Sequence, residues 1–189
     1  MKSLIFGVCL LAIVCLLGPA AFAQGQVSFF SPPTYSGSGT MFVADFNGDG
    51  KPDILSGDTR GIGSGSMQLG NGDGTFKTAT AVMGAPLAVA DFNGDGKLDA
   101  LEQGTGTLLV LLGNGDGTFQ APISTNSGAS LTAIAAADLN GDGKADAVGV
   151  FNSSLLVYLS KGDGTFAAGV PYNLGASSSG ETLTLLGDF

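Results

Sequence analysis

An acidic nonapeptide occurs three times in this chain, at nearly equal spacing. Asp45-Phe-Asn-Gly-Asp-Gly-Lys-Pro-Asp53 recurs after 46 residues as Asp91-Phe-Asn-Gly-Asp-Gly-Lys-Leu-Asp99, and after 47 more as Asp138-Leu-Asn-Gly-Asp-Gly-Lys-Ala-Asp146. A second phrase, Leu69-Gly-Asn-Gly-Asp-Gly-Thr-Phe76, runs between them. It returns as Leu112-Gly-Asn-Gly-Asp-Gly-Thr-Phe119 and as Leu159-Ser-Lys-Gly-Asp-Gly-Thr-Phe166. A period of roughly 20–50 residues marks a supersecondary unit that cannot bury its apolar side alone and must stack on copies of itself. The first repeat carries extra residues, placed by its composition in the Gly-rich stretch Gly57 to Ser66.

Each repeat holds four short apolar stretches separated by Gly-rich breaks. In the second repeat they are Leu87 to Ala90, Asp99 to Leu101, Thr107 to Leu112 and Phe119 to Ser124. All are strand-sized and too short for ordinary helices. Leu108-Leu-Val-Leu-Leu112 is apolar throughout, the pattern of a strand covered on both faces, and Leu155-Leu-Val-Tyr-Leu159 matches it. Four strands per period is the size of a propeller blade. The expected fold is all-β, a partial β-propeller of about three four-stranded blades with a leading and a trailing partial blade. The repeats are expected at about 41–86, 87–133 and 134–183 within a repeat region 24–189. The leading piece rests on Phe30 to Tyr35, which resembles Phe166 to Tyr172; the trailing piece, 184–189, ends on Gly187-Asp188-Phe189. A sequence that stops inside the motif is expected to be a fragment of a longer protein.

The nonapeptide has the donors of a hard-cation loop. Calcium takes about six to eight oxygens, and alternate side chains of a tight loop can turn toward one point. Asp45, Asn47 and Asp49 stand at positions 1, 3 and 5, Gly50 at position 6 permits a left-handed turn, and Asp53 at position 9 can close the cage. Lys51, at position 7, gives its carbonyl while its side chain is expected to face solvent. The other loops offer Asp91, Asn93, Asp95, Lys97 and Asp99, then Asp138, Asn140, Asp142, Lys144 and Asp146. Clustered carboxylates repel without a counter-ion, so one Ca²⁺ per loop is expected to stabilise the fold. An EF-hand is excluded: position 12 reads Ser56, Glu102 and Gly149, not a recurring Glu. The second phrase lacks the ninth-position acid and reads as a hairpin turn, with Phe76, Phe119 and Phe166 as core anchors.

Composition narrows the function. The chain has 189 residues, no His and no Trp, and a net charge of −9. Without His there is no Ser-His-Asp or Cys-His chemistry and no ordinary zinc site. An acidic surface disfavours nucleic acid. Residues 1–23 read as a signal peptide: Lys2, an apolar run from Leu4 to Leu17, and Ala21-Phe22-Ala23 as the cleavage site. The run is shorter than the about 20 residues that span a bilayer, so no transmembrane span is expected after cleavage. Both cysteines, Cys9 and Cys15, fall inside it, which leaves an exported chain with no disulfide.

The two phrases resemble the FG-GAP/VCBS repeats of bacterial exported proteins and are similar to the calcium-binding blades of the integrin α-subunit head. The resemblance covers residues 27–189. It implies a propeller, commonly seven-bladed, with Ca²⁺ in inter-strand loops at one face, and roles in adhesion or ligand binding. The expected function is a secreted, periplasmic or cell-surface calcium-binding module, non-catalytic, with an extracellular protein or carbohydrate ligand. Three repeats cannot close such a ring, so missing blades or other chains are implied. The alternatives are the scaffold of a larger exported lyase or hydrolase, or a purely structural spacer. Asp58, Arg60 and Glu102 are the off-pattern charges, and Asn152-Ser-Ser154 fits a glycosylation acceptor.

Overall fold

Twelve strands form three four-stranded antiparallel sheets. The computed structural model describes residues 39–58, 65–82 and 84–173. The expected signal peptide at 1–23, the expected leading piece at Phe30 to Tyr35, Arg60 and the expected trailing piece at 184–189 lie outside the described residues, as does most of the Gly-rich stretch. The first sheet holds β1 (Gly39–Ala44), β2 (Asp53–Asp58), β3 (Gly65–Gln68) and β4 (Thr80–Val82). The second holds β5 (Ala88–Ala90), β6 (Asp99–Gly104), β7 (Thr107–Leu111) and β8 (Ile123–Asn126). The third holds β9 (Ala133–Ala137), β10 (Asp146–Phe151), β11 (Ser154–Tyr158) and β12 (Val170–Asn173). Strand order follows the chain in every sheet, the meander of a propeller blade, and the sheets do not close on one another.

The register fixes which loops share an end. Ala44 pairs with Asp53 and Met67 with Thr80, so the nonapeptide and the second phrase emerge at one end of the first sheet. Gly39 pairs with Asp58 and Gly65 with Val82, so the start of β1, the end of β2, the start of β3 and the end of β4 lie at the other. The other sheets repeat this plan. Two strands differ from expectation: β6 runs on to Gly104, and β8 begins at Ile123, where the backbone of Phe119 makes an isolated bridge to Gly113 because the second-phrase hairpin occupies residues 112–120.

Two apolar clusters weld the sheets face to face. Phe46, Leu55 and Met67 of the first sheet meet Ala100 and Leu111 of the second. Phe92, Leu101, Leu108 and Val110 of the second meet Ala147, Tyr158 and Phe166 of the third. Ala100 and Leu101 thus point opposite ways, as the period of two requires, and β7 is covered on both faces as its sequence predicts. Its counterpart β11 is not: Leu155 and Val157 are only half-buried, because no described sheet covers the far face of the third, while Leu156 packs toward the second sheet. The Phe anchors differ likewise. Phe166 is buried and Phe119 packs on the first cluster, whereas half-buried Phe76 stands in neither cluster.

Candidate functional site

The three nonapeptides fold alike, through bonds within a few residues. Both oxygens of the Asp45 carboxylate receive loop amides: Oδ1 accepts N–H from Asn47, Gly48 and Asp49 at 3.3, 2.8 and 3.2 Å, and Oδ2 accepts from Gly50 at 2.7 Å. Asn47 Oδ1 accepts from Asp49, and Asp49 Oδ1 from Lys51, both at 3.0 Å. Asp91 gathers Gly94, Asp95 and Gly96, and Asp138 gathers Gly141, Asp142 and Gly143. The amides converge only because Gly50, Gly96 and Gly143 adopt φ of +79°, +82° and +83°. Backbone N–H groups, that of Gly143 foremost, hold the Asp138 carboxyl below the usual range. For Asp49, desolvation raises the pKa, but the Lys51 N–H, Asn47 and the Lys51 ammonium together outweigh it, and the net shift is downward.

The position-7 lysines do not simply face solvent. Lys51, Lys97 and Lys144 fold back on the position-5 carboxylates, Nζ to Oδ2 at 3.5, 3.7 and 3.0 Å. Their stems lie across Gly72, Gly115 and Gly162 of the second phrase; a Cβ added to Gly115 would sit 3.1 Å from Lys97 Cδ. The stem covers backbone while the ammonium reaches a carboxylate at the surface.

The ninth-position aspartates have a role that the sequence reading missed. Asp53, Asp99 and Asp146 are fully buried. Asp53 Oδ2 accepts the Phe46 amide at 2.9 Å and Oδ1 the Gly70 amide at 2.8 Å. Asp99 does the same for Phe92 and Gly113, and Asp146 for Leu139 and Ser160. Each carboxylate thus ties a nonapeptide to a second-phrase hairpin. Burial pushes the Asp99 carboxyl up, against the Gly113 and Phe92 N–H groups, and the Asp91 and Asp95 charges add to the rise. The one signal in sequence was co-occurrence: each ninth Asp is followed by a second phrase.

The donors fit a hard cation in kind. Every side-chain candidate is an oxygen, and each carboxylate oxygen that takes one amide keeps a second lone pair. Among the described residues no three carboxylates draw together into one cluster, since the ninth Asp is turned to the backbone. A cation would therefore lean on positions 1, 3 and 5 and the position-7 carbonyl, with the ninth Asp as support from beneath.

The second phrase is the hairpin that its sequence predicts. Asn71 N–H donates to the Thr75 carbonyl at 3.0 Å, and Asp73 Oδ1 accepts both the Thr75 amide and its hydroxyl. Beside the second such hairpin lies a groove of about 450 Å³, between β4 and the segment after Phe119. Its polar edge is Thr80, Thr118 and Gln120, and Leu111, Phe119 and Pro122 supply its apolar lining. At the matching place between the second and third sheets, Ile123 stands where Thr80 stood and its side chain lies against Gly164.

Glu102 is the off-pattern acid that the structure buries. It projects from β6 over Gly84, whose φ is +91°; an added Cβ there would collide with the carboxyl. Its Oε1 is buried without a partner among the described residues, and burial pushes its pKa up to about 7. Asn152 sits exposed in the two-residue β10–β11 turn with φ of 53°.

Comparison with known proteins agrees with this architecture. A structure of an Agrocybe aegerita lectin, described as recognising non-reducing terminal N-acetylglucosamine, is 31% identical with a TM-score of 0.55. The match covers 69% of this chain and 37% of the lectin, so this chain spans little more than a third of that protein. The Photorhabdus luminescens Tc holotoxin pore matches at 25% identity and a TM-score of 0.49, over 70% of this chain and 7% of that one. No curated protein sequence matches. The model of the FG-GAP-like repeat matches residues 45–102 and 91–149, more than half of the chain. By its repeats and its propeller-like sheets, this chain belongs to the FG-GAP-like repeat family.

Proposed function

We propose that the chain is an exported, non-catalytic binding module whose nonapeptide loops hold Ca²⁺ and whose inter-sheet surface takes a carbohydrate. The observation that carries the calcium reading is the threefold recurrence of one oxygen-rich loop, with one hydrogen-bond plan, at one end of adjoining sheets. Asp45, Asn47, Asp49 and the Lys51 carbonyl would hold the first ion, with Asp53 beneath. Equivalent residues would hold the others. Bound Ca²⁺ offsets the loop charge and stabilises the fold. Three ions reduce the charge of the chain without its signal from −10 to about −4, since Lys2 leaves with the signal. Calorimetric titration of residues 24–189 is expected to give about three ions per chain, each adding about 2.7 kcal/mol at a free concentration one hundred times Kd. Asp49→Ala should remove one ion. No binding at millimolar Ca²⁺, with an unchanged melting temperature in EDTA, would sink the calcium reading and leave the fold standing.

The carbohydrate reading is supported by the likeness to the lectin and by the groove beside β4. Phe119 and Leu111 give an apolar lining suited to the C–H face of a sugar, and Thr80, Thr118 and Gln120 give hydroxyl and amide partners. The chain is expected to bind immobilised glycans ending in N-acetylglucosamine, with Gln120→Ala weakening binding about tenfold, the equivalent of one lost hydrogen bond of about 1.4 kcal/mol. Equal binding by the variant, or none by the parent, removes this groove as the site.

A further inference from the structure

We propose that copies of this chain join head to tail, the third sheet of one receiving the first sheet of the next through the aromatic interlock that joins sheets inside the chain. That interlock is built twice. The second residue of a nonapeptide reaches into the following sheet and meets, edge to face, the Phe that ends the hairpin there. Phe46 meets Phe119 at 6.2 Å between centroids and 69° between planes; Phe92 meets Phe166 at 5.7 Å and 83°. Hydrogen bonds to backbone carbonyls accompany each pair. Gly117 N–H donates to the Phe46 carbonyl at 3.2 Å, Ser160 Oγ donates to the Phe92 carbonyl at 2.6 Å, and Ala145 N–H donates to the Asp91 carbonyl at 2.8 Å.

The far face of the third sheet presents one half of a third interlock. Leu139 occupies the place of Phe46 and Phe92, its amide on Asp146 Oδ2 as theirs are on Asp53 and Asp99. It is 43% exposed, against 4% and 0% for the two phenylalanines. Beside it Leu159 is exposed, and Leu155 and Val157 are half-buried where their counterparts Leu108 and Val110 are fully covered. The first sheet presents the other half. Phe76 ends its hairpin at the place of Phe119 and Phe166, with no ring partner among the described residues. Met41 and Val43 of β1 lie exposed on this sheet, although Val89 and Ala136, at the place of Val43 in later repeats, pack into the inter-sheet clusters.

The described part of the chain thus carries both halves of an interface whose closed form it displays twice, and the occupant that fits both faces is another copy. Such a contact is heterologous: it propagates from copy to copy and ends only if the rotation closes a ring. The nonapeptide ends of adjoining copies would lie side by side, so their like charges oppose the joint and salt should strengthen it.

Sedimentation velocity on residues 24–189 tests this. The expected result is a mass that rises with protein and salt concentration. Leu139→Asp and Phe76→Asp should each weaken association at least tenfold, the loss of about 1.4 kcal/mol at one apolar anchor, and Leu139→Phe should tighten it. The two Asp variants break opposite ends, so mixing them should restore a dimer and nothing larger. Leu139 is exposed, so its replacement leaves the folded monomer intact, which thermal melting would check; Leu159→Asp is the second variant. A chain that stays monomeric at every concentration, and whose melting Leu139→Asp alters, would mean that residues 174–189 of the same chain cover this face, and would overturn the proposal. A dimer that neither variant weakens, or that mixing does not restore, would overturn the head-to-tail arrangement.

Discussion

Asp99→Ala is expected to destabilise the protein by about 3 kcal/mol, and by nearly as much in EDTA as in calcium. Asp99 sits in the middle sheet, fully buried, and accepts the amides of Phe92 at 2.9 Å and Gly113 at 2.8 Å. Bonds to a charged acceptor contribute roughly 1.5–3 kcal/mol each, and a buried amide left without a partner costs about 1–3 kcal/mol. Relief of the carboxylate's own desolvation offsets part of the loss. Asn is no remedy, because its NH₂ would face one of two N–H donors. Asp95, by contrast, is exposed, and its bonds stay within its own loop. Asp95→Ala should cost only a few tenths of a kcal/mol without metal and forfeit the calcium-dependent part with it. Chemical denaturation of both variants, with Ca²⁺ and with EDTA, separates the roles. If the Asp99→Ala loss disappears in EDTA, the residue is a ligand alone and the buried tie between the two phrases contributes nothing.

Stability is also expected to fall as pH rises through 7, and Glu102→Leu to remove that fall. The folded Glu102 carboxyl is pushed from its ordinary 4.5 up to about 7 by burial alone. The unfolded chain therefore gives up this proton first. The contribution is fully present below about 4.5 and is lost as pH passes the folded value, with about 3 kcal/mol as the upper limit. The loop aspartates held below the usual range act in the opposite sense and lower down: what they contribute is present above about 4 and lost in acid. With no His in the chain, the interval from pH 5 to 8 is unusually clear of other side-chain titration. Asp99, also raised, is the one to separate, and Glu102→Leu does so. Leucine suits the place because the next junction solves the same packing in reverse: Gly149 stands where Glu102 does, and Leu131 from the linker fills the space over it. The variant should be about 1–3 kcal/mol more stable at pH 8 and nearly unchanged at pH 5. A parent melting temperature that is flat from pH 5 to 8 would show that the carboxyl finds compensation.

What could be read from the chain alone was whatever its residues settle with near neighbours. The Asp45 loop closes through bonds to residues two to five positions away, so its donor pattern, its left-handed glycines and its threefold recurrence were all visible. Alternation and Gly-rich breaks likewise marked the strands, and the period marked a stack of sheets. The position-7 lysines, by contrast, were expected in solvent, because nothing in their own loop shows that Gly115 will pass beneath Lys97.

The ninth aspartates, the Phe46–Phe119 contact and the slot over Gly84 were decided only in three dimensions. Asp53 finds Gly70 across 17 residues, and Phe46 finds a ring in the next sheet. One tripeptide shows the division. Ala100, Leu101 and Glu102 follow one another on β6: the period of two sends Ala100 to one neighbouring sheet and Leu101 to the other. Nothing in their sequence tells that Glu102 will meet a glycine instead of water. Local hydrogen bonds and apolar period are properties of the chain, whereas burial and its cost are properties of what the chain is packed against.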